Sequence, residues 1–306
     1  MTLTTGFKYL SIGFLITNLI ACMENKKNTS SHERLKKELT FTPKSLGGIA
    51  LYTVRDAMSV NPKETLKEIV AIGYKNIEAA GYKEEMYYGM SPVNFKSYLK
   101  KLNLEPISTH QASVTLENAA LEMAHAKTAG FKYFIVPIPP MGLFTYDEDT
   151  NEMNMKGTVE NLANILNTLG AQAKKAGMEL LYHNHDFEFR KNDKGIVPID
   201  YLLQHCDPEL VNFQMDLYWV IKAGADPVAY FDRYPNRFKM WHVKDMSKNG
   251  NFAPVGTGTI DFKNILARKE NSGMLYYMVE QDDTFDLNPM EAIKISRQGI
   301  EKIGFK

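Results

Sequence analysis

The chain has no excess of charge of either sign. Its 306 residues include 36 Lys and Arg and 36 Asp and Glu, so the formal net charge is zero. A balanced charge gives no electrostatic footprint for nucleic acid and no polybasic signal for a membrane surface. We therefore expect no nucleic-acid partner.

The sequence also lacks two nucleotide-binding motifs. It has no Walker motif, and no G-x-G-x-x-G follows its first predicted strand. Because these motifs hold phosphates with backbone donors, their absence removes the main support for an ATP-binding or dinucleotide-binding protein.

Cysteine is scarce, with only Cys22 and Cys206 in the chain. A thiolate-rich structural zinc site is therefore disfavoured. If Cys22 is acylated, Cys206 has no partner and no internal disulfide forms. We expect Cys206 to be an inert, buried thiol.

The first 22 residues differ from the rest. Lys8 is their only charged residue, and an apolar run extends from Tyr9 to Ala21. Such a run behind a basic residue is typical of a secretory signal and is too short to span a membrane. Ala21 before Cys22 resembles a bacterial lipobox, which implies cleavage before Cys22 and a lipid on its sulfur. The alternative is a buried N-terminal helix.

Residues 23–45 are polar and rich in Lys, Asn, Ser and Glu, which is typical of a flexible tether. The sequence thus predicts a signal peptide (1–22), a tether (23–45) and a folded domain (46–306). The protein is expected to be exported and held at the membrane by its lipid alone, in the periplasm or at the cell surface.

From residue 46 onward, apolar strand-like runs alternate with amphipathic helical stretches, which predicts a parallel sheet covered by helices. The predicted strands are 47–53, 76–79, 105–109, 133–137, 179–184, 211–215, 239–243 and 276–280. Eight such units in about 260 residues favour a closed α/β (β/α)₈ TIM barrel over an open sheet. Residues 138–156 form an insertion that we interpret as a lid.

Polar residues follow the ends of the predicted strands. Asp216, His242 and Glu280 are separated by 26 and 38 residues, each compatible with one strand-helix unit. Since the carboxyl ends of barrel strands meet at one mouth, these side chains can point to one centre. Mixed His and carboxylate ligands suit one divalent ion, such as Mn, Zn, Co, Fe or Mg.

Other polar residues at the same mouth have two interpretations each. His183 and His185 alternate along one strand, and one of them is expected to be structural. Lys244 either stabilises an anionic substrate oxygen or pairs with Asp245. Trp219 either stacks on a sugar face or packs at the rim.

Two further features have weaker signals. Glu78 and His110 are candidates for binding substrate hydroxyls. Gly256-Thr257-Gly258 resembles a phosphate-binding loop, although glycine is also needed in ordinary turns.

Seven motifs in order carry a resemblance to a known family. They are LGGIALYTVRD (46–56), GYKNIEAAGY (73–82), YHNHDFEF (182–189), MDLYWV (215–220), RFKMWHVKD (237–245), VGTGTIDF (255–262) and VEQD (279–282). Over residues 46–304 the chain resembles the xylose isomerase-like barrels, a group of sugar isomerases, epimerases and dehydratases related to endonuclease IV.

The resemblance implies a metal ion held by residues after strands five to eight, commonly Glu, Asp, His and Glu. Asp216, His242 and Glu280 occupy the last three positions. His183 stands where many relatives have Glu, with His185 and Glu188 as nearby alternatives. If His183 replaces one of the two glutamate bases of epimerising relatives, the resemblance implies either a different base or chemistry that needs a single base, and the second alternative favours dehydration or elimination.

The implied function is sugar isomerisation or epimerisation through a metal-stabilised enediolate. A carboxylate or imidazole takes the proton next to the carbonyl, with Glu280, His185 and Glu188 as candidates and Lys244 as a stabilising cation. The alternatives are a 3-keto-glycoside lyase or dehydratase acting by β-elimination, and a non-catalytic carbohydrate-binding lipoprotein. Free sugars, keto-sugars or glycosides are the expected ligands, and a homo-oligomer is compatible with the sequence.

Overall fold

The structure is a computed structural model, and it describes residues 46–150 and 152–305. The predicted signal peptide, the lipidation of Cys22 and the tether lie outside the described residues. Within those two ranges, no helix is both long and apolar enough to cross a membrane.

Eight parallel strands close into a barrel, which confirms the predicted fold class. Around the barrel the order is β1, β2, β5, β6, β9, β10, β11, β14 and back to β1. These strands are β1 (Gly47–Ala50), β2 (Asn76–Ala79), β5 (Glu105–His110), β6 (Tyr133–Val136), β9 (Glu179–His183), β10 (Val211–Asp216), β11 (Phe238–Val243) and β14 (Tyr276–Val279).

Three short antiparallel hairpins lie between barrel strands. They pair β3 (Tyr82–Lys83) with β4 (Met86–Tyr87), β7 (Phe144–Asp147) with β8 (Glu152–Met155), and β12 (Asp245–Met246) with β13 (Phe252–Ala253). The β7–β8 hairpin occupies the insertion predicted at 138–156.

Helices cover the outside of the barrel. They are α1 (Arg55–Val60), α2 (Pro62–Ile72), α3 (Pro92–Lys101), α4 (Ala119–Ala129), α5 (Val159–Lys175), α6 (Pro198–His205), α7 (Leu217–Lys222), α8 (Pro227–Arg233), α9 (Phe262–Leu266), α10 (Lys269–Ser272) and α11 (Pro289–Ile303). Several begin with a proline in the first turn behind a polar cap. Ser91 before Pro92 accepts a hydrogen bond from the Asn94 backbone N–H, which satisfies a free donor of the first turn.

The first strand is shorter than predicted. It ends at Ala50, and Leu51–Val54 form a 3-10 helix instead of continuing the strand. Leu51 and Val54 are buried in the core. The predicted strand at 47–53 is therefore wrong beyond Ala50, because a short apolar run with buried residues is compatible with either a strand or a helix.

The barrel interior has an apolar floor and a polar top. Ile107, Ile135, Leu181, Met240 and Met278 belong to one buried cluster inside the barrel. Residues two positions farther along a strand share the same face. His183, His242 and Glu280 stand two positions after Leu181, Met240 and Met278, so these three polar residues of the site lie directly above the floor, on the side of the mouth.

The C-terminal helix α11 packs closely on the loop that follows β13. A Cβ atom on Gly299 would overlap the backbone carbonyl of Val255, and the Val255 N–H donates to Ser296 Oγ at 3.0 Å. Because the obstructing atom is backbone, it cannot move aside as a flexible side chain would.

We predict that Gly299→Ala lowers the free energy of unfolding by about 1–3 kcal/mol, as overpacking typically does. Urea unfolding measures the change. Gln298→Ala, at an exposed position of the same helix, is the control and should change stability little. Equal stability of the two variants would contradict the close packing.

Candidate active site

His242 is at the centre of the polar cluster. It lies on β11, is fully buried, and has a carboxylate on each ring nitrogen. Nε2 lies 2.6 Å from Glu78 Oε1, and Nδ1 lies 2.7 Å from Glu280 Oε2. Burial acts to lower the pKa of His242, but Glu280 and Glu78 outweigh it and raise the pKa to about 10.

Glu78 is saturated with hydrogen-bond donors. Its Oε1 contacts His242 and, at 3.0 Å, His110 Nε2, while its Oε2 accepts from Ser108 Oγ and Gln214 Nε2, both at 2.7 Å. Burial acts to raise the pKa of Glu78, but the two histidines lower it below its usual range. The Glu78 carboxylate is thus occupied by protein donors. Its predicted role in binding a substrate hydroxyl stays a prediction.

Asp216 ends β10 and begins α7. Its Oδ1 accepts a hydrogen bond from the Trp219 backbone N–H, as a helix cap does. Its buried Oδ2 lies 2.8 Å from Lys244 Nζ, 3.8 Å from His242 Nδ1 and 3.7 Å from His183 Nε2. Oδ2 is therefore ion-paired with the Lys244 ammonium, but among the described residues it has no partner that meets the full geometric criteria for a hydrogen bond. Burial raises its pKa.

Lys244 is a buried cation among carboxylates. Its Nζ lies 2.6 Å from Glu280 Oε2 and 2.8 Å from Asp282 Oδ1, in addition to its contact with Asp216. Burial acts to lower the pKa of Lys244, but these carboxylates raise it well above its usual value. The structure therefore places Lys244 in the mouth.

Asp245, the expected alternative partner of Lys244, is occupied elsewhere. Its buried carboxylate accepts backbone N–H groups of the following loop, namely those of Met246, Gly256, Gly258 and Ile260. The interpretation of Gly256-Thr257-Gly258 as a phosphate-binding loop is wrong for the same reason, since the two glycine N–H groups already donate to Asp245.

His183 and His185 both reach the mouth. His183 Nδ1 lies 2.9 Å from Gln214 Oε1. His185 Nδ1 and the indole Nε1 of Trp219 are buried, and neither has a partner among the described residues. The centres of the His185 and Trp219 rings lie 5.6 Å apart. Burial lowers the pKa of His183 well below its usual value and that of His185 to about 3.

Glu188 lies apart from this cluster. Its Oε1 accepts from Tyr182 Oη at 2.7 Å, and its Oε2 accepts from the His185 backbone N–H at 2.8 Å. Tyr182 belongs to the core outside the barrel wall. Of the three predicted base candidates, Glu188 is thus the one whose carboxylate is held by the core, and burial raises its pKa to about 8.

Three residues of the cluster have no role among the sequence-based predictions. Gln214 and Ser108 are fully buried and contact Glu78, and Asp282 pairs with Lys244. Gln214 stands two residues before Asp216, on the same face of its strand. A polar residue at an inward position of a buried strand was the signal that could have found it.

The cluster fits a divalent cation. Two groups of three residues have ligand atoms within 4.8 Å of one another, and they share His242; they are His110, His183 and His242, and Glu78, His242 and Glu280. The carboxylates of Glu78, Asp216, Glu280 and Asp282 outnumber the two cations paired with them, Lys244 and the protonated ring of His242. Buried negative charge of this kind is stable only when it is compensated.

The ligand atoms follow from the hydrogen bonds. Metal-binding histidines usually donate their other N–H to a carboxylate. His242 does so through Nε2 to Glu78, which leaves Nδ1 beside Glu280 and Asp216. With His183 Nε2 these atoms form a mixed nitrogen and oxygen set, which suits Mn, Zn, Co or Fe.

Comparison with known proteins gives one family. A family model described as a xylose isomerase-like TIM barrel matches residues 66–303. Inosose dehydratase from Lacticaseibacillus casei is 31% identical over 152 residues, which are 43% of this chain and 50% of that protein. The chain thus spans about half the length of the curated relatives it matches.

Solved structures share the fold. A sugar phosphate isomerase/epimerase from Parabacteroides distasonis has a TM-score of 0.72 and 23% identity, covering 86% of this chain and 99% of that one. A protein named IOLI, solved with a bound zinc atom, has a TM-score of 0.63 and 14% identity, covering 84% and 97%. At these identities the likeness concerns the fold alone.

We predict that Lys244→Met lowers the free energy of unfolding at pH 8 by about 3–5 kcal/mol in the presence of a chelator, because it leaves buried carboxylates without their cation. Urea unfolding measures this. Lys222→Met, which removes an exposed lysine bonded to the Gly250 carbonyl, is the control. If both variants lose the same small amount, Lys244 does not compensate the cluster.

A second prediction concerns Glu188. Its pKa is raised from 4.5 to about 8, so between these values the unfolded chain loses a proton that the folded chain keeps. The free energy of unfolding therefore falls as pH rises through this window, and the loss is complete above it. Glu188→Gln cannot ionise and should lack this part of the pH dependence.

Urea unfolding at pH 5 and pH 8 tests it. The variant should gain stability relative to the natural chain at pH 8, at about 1.4 kcal/mol per unit of pKa shift as an upper limit. The exposed Glu105→Gln is the control. If the free energy of unfolding of Glu188→Gln differs from that of the natural chain by the same amount at pH 5 and at pH 8, Glu188 is ionised in the folded protein.

Proposed function

Because this chain belongs to the xylose isomerase-like TIM barrel family, we propose that it is an enzyme acting on a small sugar-like molecule with one divalent metal ion. Its central step is removal of a proton from the carbon next to a carbonyl. This step is common to isomerisation, epimerisation and dehydration, so it does not depend on which of them follows.

The observation that carries the proposal is the convergence of buried charged groups on His242. Asp216, His242 and Glu280 come from three separate strands, yet their nearest atoms lie 2.7 and 3.8 Å apart. A divalent ion held there with His183 would supply Lewis-acid stabilisation of negative charge on a substrate oxygen. The zinc in a structure of the same fold supports a metal of this type.

Two residues of the chain would act on the proton and the charge. His185 is a candidate base on geometry, because it has a buried ring nitrogen without a partner among the described residues, although the burial that keeps its ring neutral also lowers its pKa to about 3 and so weakens it as a base. Lys244 Nζ lies beside the same carboxylates and would stabilise an anionic substrate oxygen. Glu280 is the alternative base, although it already accepts from His242 and contacts Lys244.

One wall of the mouth is suited to a sugar-like ring. Trp219 lies edge-on to Phe252 with ring centres 5.6 Å apart, and Phe187 lies 6.1 Å from the His185 ring. Aromatic faces bind the C–H faces of such rings, and the unpartnered Trp219 Nε1 would donate to one of their oxygens. A sugar, keto-sugar or glycoside is therefore the proposed ligand class.

A dehydratase fits the site as well as an isomerase or epimerase. The curated relative is named inosose dehydratase, and β-elimination needs one base and a proton for the leaving oxygen. Lys244 stays protonated because its carboxylate neighbours raise its pKa, so it would stabilise the leaving oxygen by its charge and a hydrogen bond, while the proton that this oxygen takes up would come from water or from the protonated base. A 3-keto-glycoside lyase uses the same step. We also propose export with a lipid on Cys22.

We predict that the metal-loaded protein, incubated in D₂O with ketoses, inososes and 3-keto-glycosides, introduces deuterium next to the carbonyl of at least one of them. Proton NMR reads the exchange and separates the outcomes. A changed ring configuration indicates epimerisation, while loss of water or of an aglycone indicates elimination.

Asp216→Asn should slow the exchange by roughly 100-fold, the scale on which a lost charge-stabilising group acts. Asp226→Asn is a matched control, because Asp226 also caps a helix by accepting from a backbone N–H, at Val228, but lies outside the cluster. Sugar binding without any exchange would favour a non-catalytic carbohydrate-binding protein.

A further inference from the structure

We propose that Gln214 is a positioning residue that fixes the protons on His110 and His183, so that His183 presents Nε2 to the metal ion. The inference deepens the proposed function, on whose metal ion it rests. Gln214 itself would bind neither the ion nor the substrate.

The orientation of the Gln214 amide is determined by its neighbours. The amide is fully buried, and one end lies 2.7 Å from Glu78 Oε2. A carboxylate held by several donors can only accept, so the atom facing it must be the amide nitrogen. The amide oxygen therefore faces the other way, towards the two histidines.

That oxygen accepts from both histidines. Gln214 Oε1 lies 2.9 Å from His110 Nε2 and 2.9 Å from His183 Nδ1. An amide oxygen has two acceptor sites and no proton to give, so each histidine nitrogen that faces it must carry a proton. This holds whether the rings are neutral or charged. Gln214 thus sets opposite tautomers on its two neighbours.

The consequence for His183 is a specific free atom. With Nδ1 protonated, Nε2 is the nitrogen left to bind a cation. It faces Asp216 Oδ2 across 3.7 Å, and among the described residues that oxygen has Lys244 as its counter-ion, at 2.8 Å, but no proton directed at it from His183. A ring nitrogen and a carboxylate oxygen that both have lone pairs repel each other unless a proton or a cation lies between them. The arrangement is therefore suited to a cation.

Gln214 also links the two histidines that would bind the ion, His242 and His183. Gln214 connects Glu78, which anchors His242, to His183, which supplies a ligand on the neighbouring strand. Partners of this kind orient the ligand ring, and their loss typically costs 10–100-fold in metal affinity.

The first test reads the tautomers directly. Two-bond ¹H–¹⁵N spectra of metal-free protein with ¹⁵N-labelled histidine distinguish Nδ1–H from Nε2–H, and His110→Asn and His183→Asn assign the two signals. We expect a proton on Nδ1 of His183 and on Nε2 of His110. A neutral His183 with its proton on Nε2 would overturn the proposal. This measurement needs no variant of Gln214 to fold.

The second test measures zinc affinity by competition with a chromophoric chelator. Gln214→Met removes both the donor and the acceptor and should weaken zinc binding 10–100-fold, with a changed His183 signal in the metal-free spectrum. Asn212→Ala on the same strand, whose amide donates to the Pro208 carbonyl, should bind zinc like the natural chain. Circular dichroism checks that both variants fold.

The outcomes separate this inference from the proposed function. Zinc binding by Gln214→Met as tight as in the natural chain would refute the positioning role and leave the proposed enzyme intact. A natural chain with the expected tautomers but no zinc affinity would refute the role of the metal in both. Tautomers other than those expected refute the inference alone.

Discussion

His242 is buried with a carboxylate on each ring nitrogen, and most of the site is arranged around that constraint. Charged groups withdrawn from water are stable only when each is compensated, and here the compensation comes from different strands. Glu78 is held by Ser108 and Gln214, and Glu280 by Lys244. The barrel makes this cluster because its parallel strands bring residues that are far apart in sequence to one mouth.

The fold was readable from the sequence because barrel strands are short apolar runs between helices. All eight predicted strands exist, and Asp216 and His242 lie at strand ends as expected. The first strand was overextended, because a buried 3-10 helix at Leu51–Val54 has the same apolar composition as a strand.

The partners of each site residue could not be read in this way. Glu78 was correctly placed near the mouth, but only the structure shows that its oxygens are occupied by protein donors. Strand alternation also stops where a strand ends. Glu188 lies in a 3-10 helix after β9, so its side chain turns to Tyr182 in the core. Asp245 is likewise adjacent to Lys244 in sequence, yet its carboxylate accepts backbone N–H groups of a loop.

His183 stands where the family resemblance implies a glutamate, and this difference would distinguish the proposed metal site from one with two glutamates. A neutral imidazole contributes no charge, so the ligand set around the ion is less negative than one with two glutamates. It also has only one lone pair, and Gln214 determines which atom offers it. The proposed chemistry with one base next to a carbonyl is consistent with this site, and the aromatic side chains near Trp219 are the surface that the proposed sugar-like ligand would contact.

The central claim is that side chains from separate strands share one cation at the barrel mouth. Anomalous X-ray diffraction from crystals grown with zinc, collected on both sides of the zinc absorption edge, tests it directly. The account predicts a single strong peak within bonding distance of Asp216, His242 and Glu280, with His183 Nε2 as a further ligand. A peak away from these residues, or no peak at saturating zinc, would contradict it.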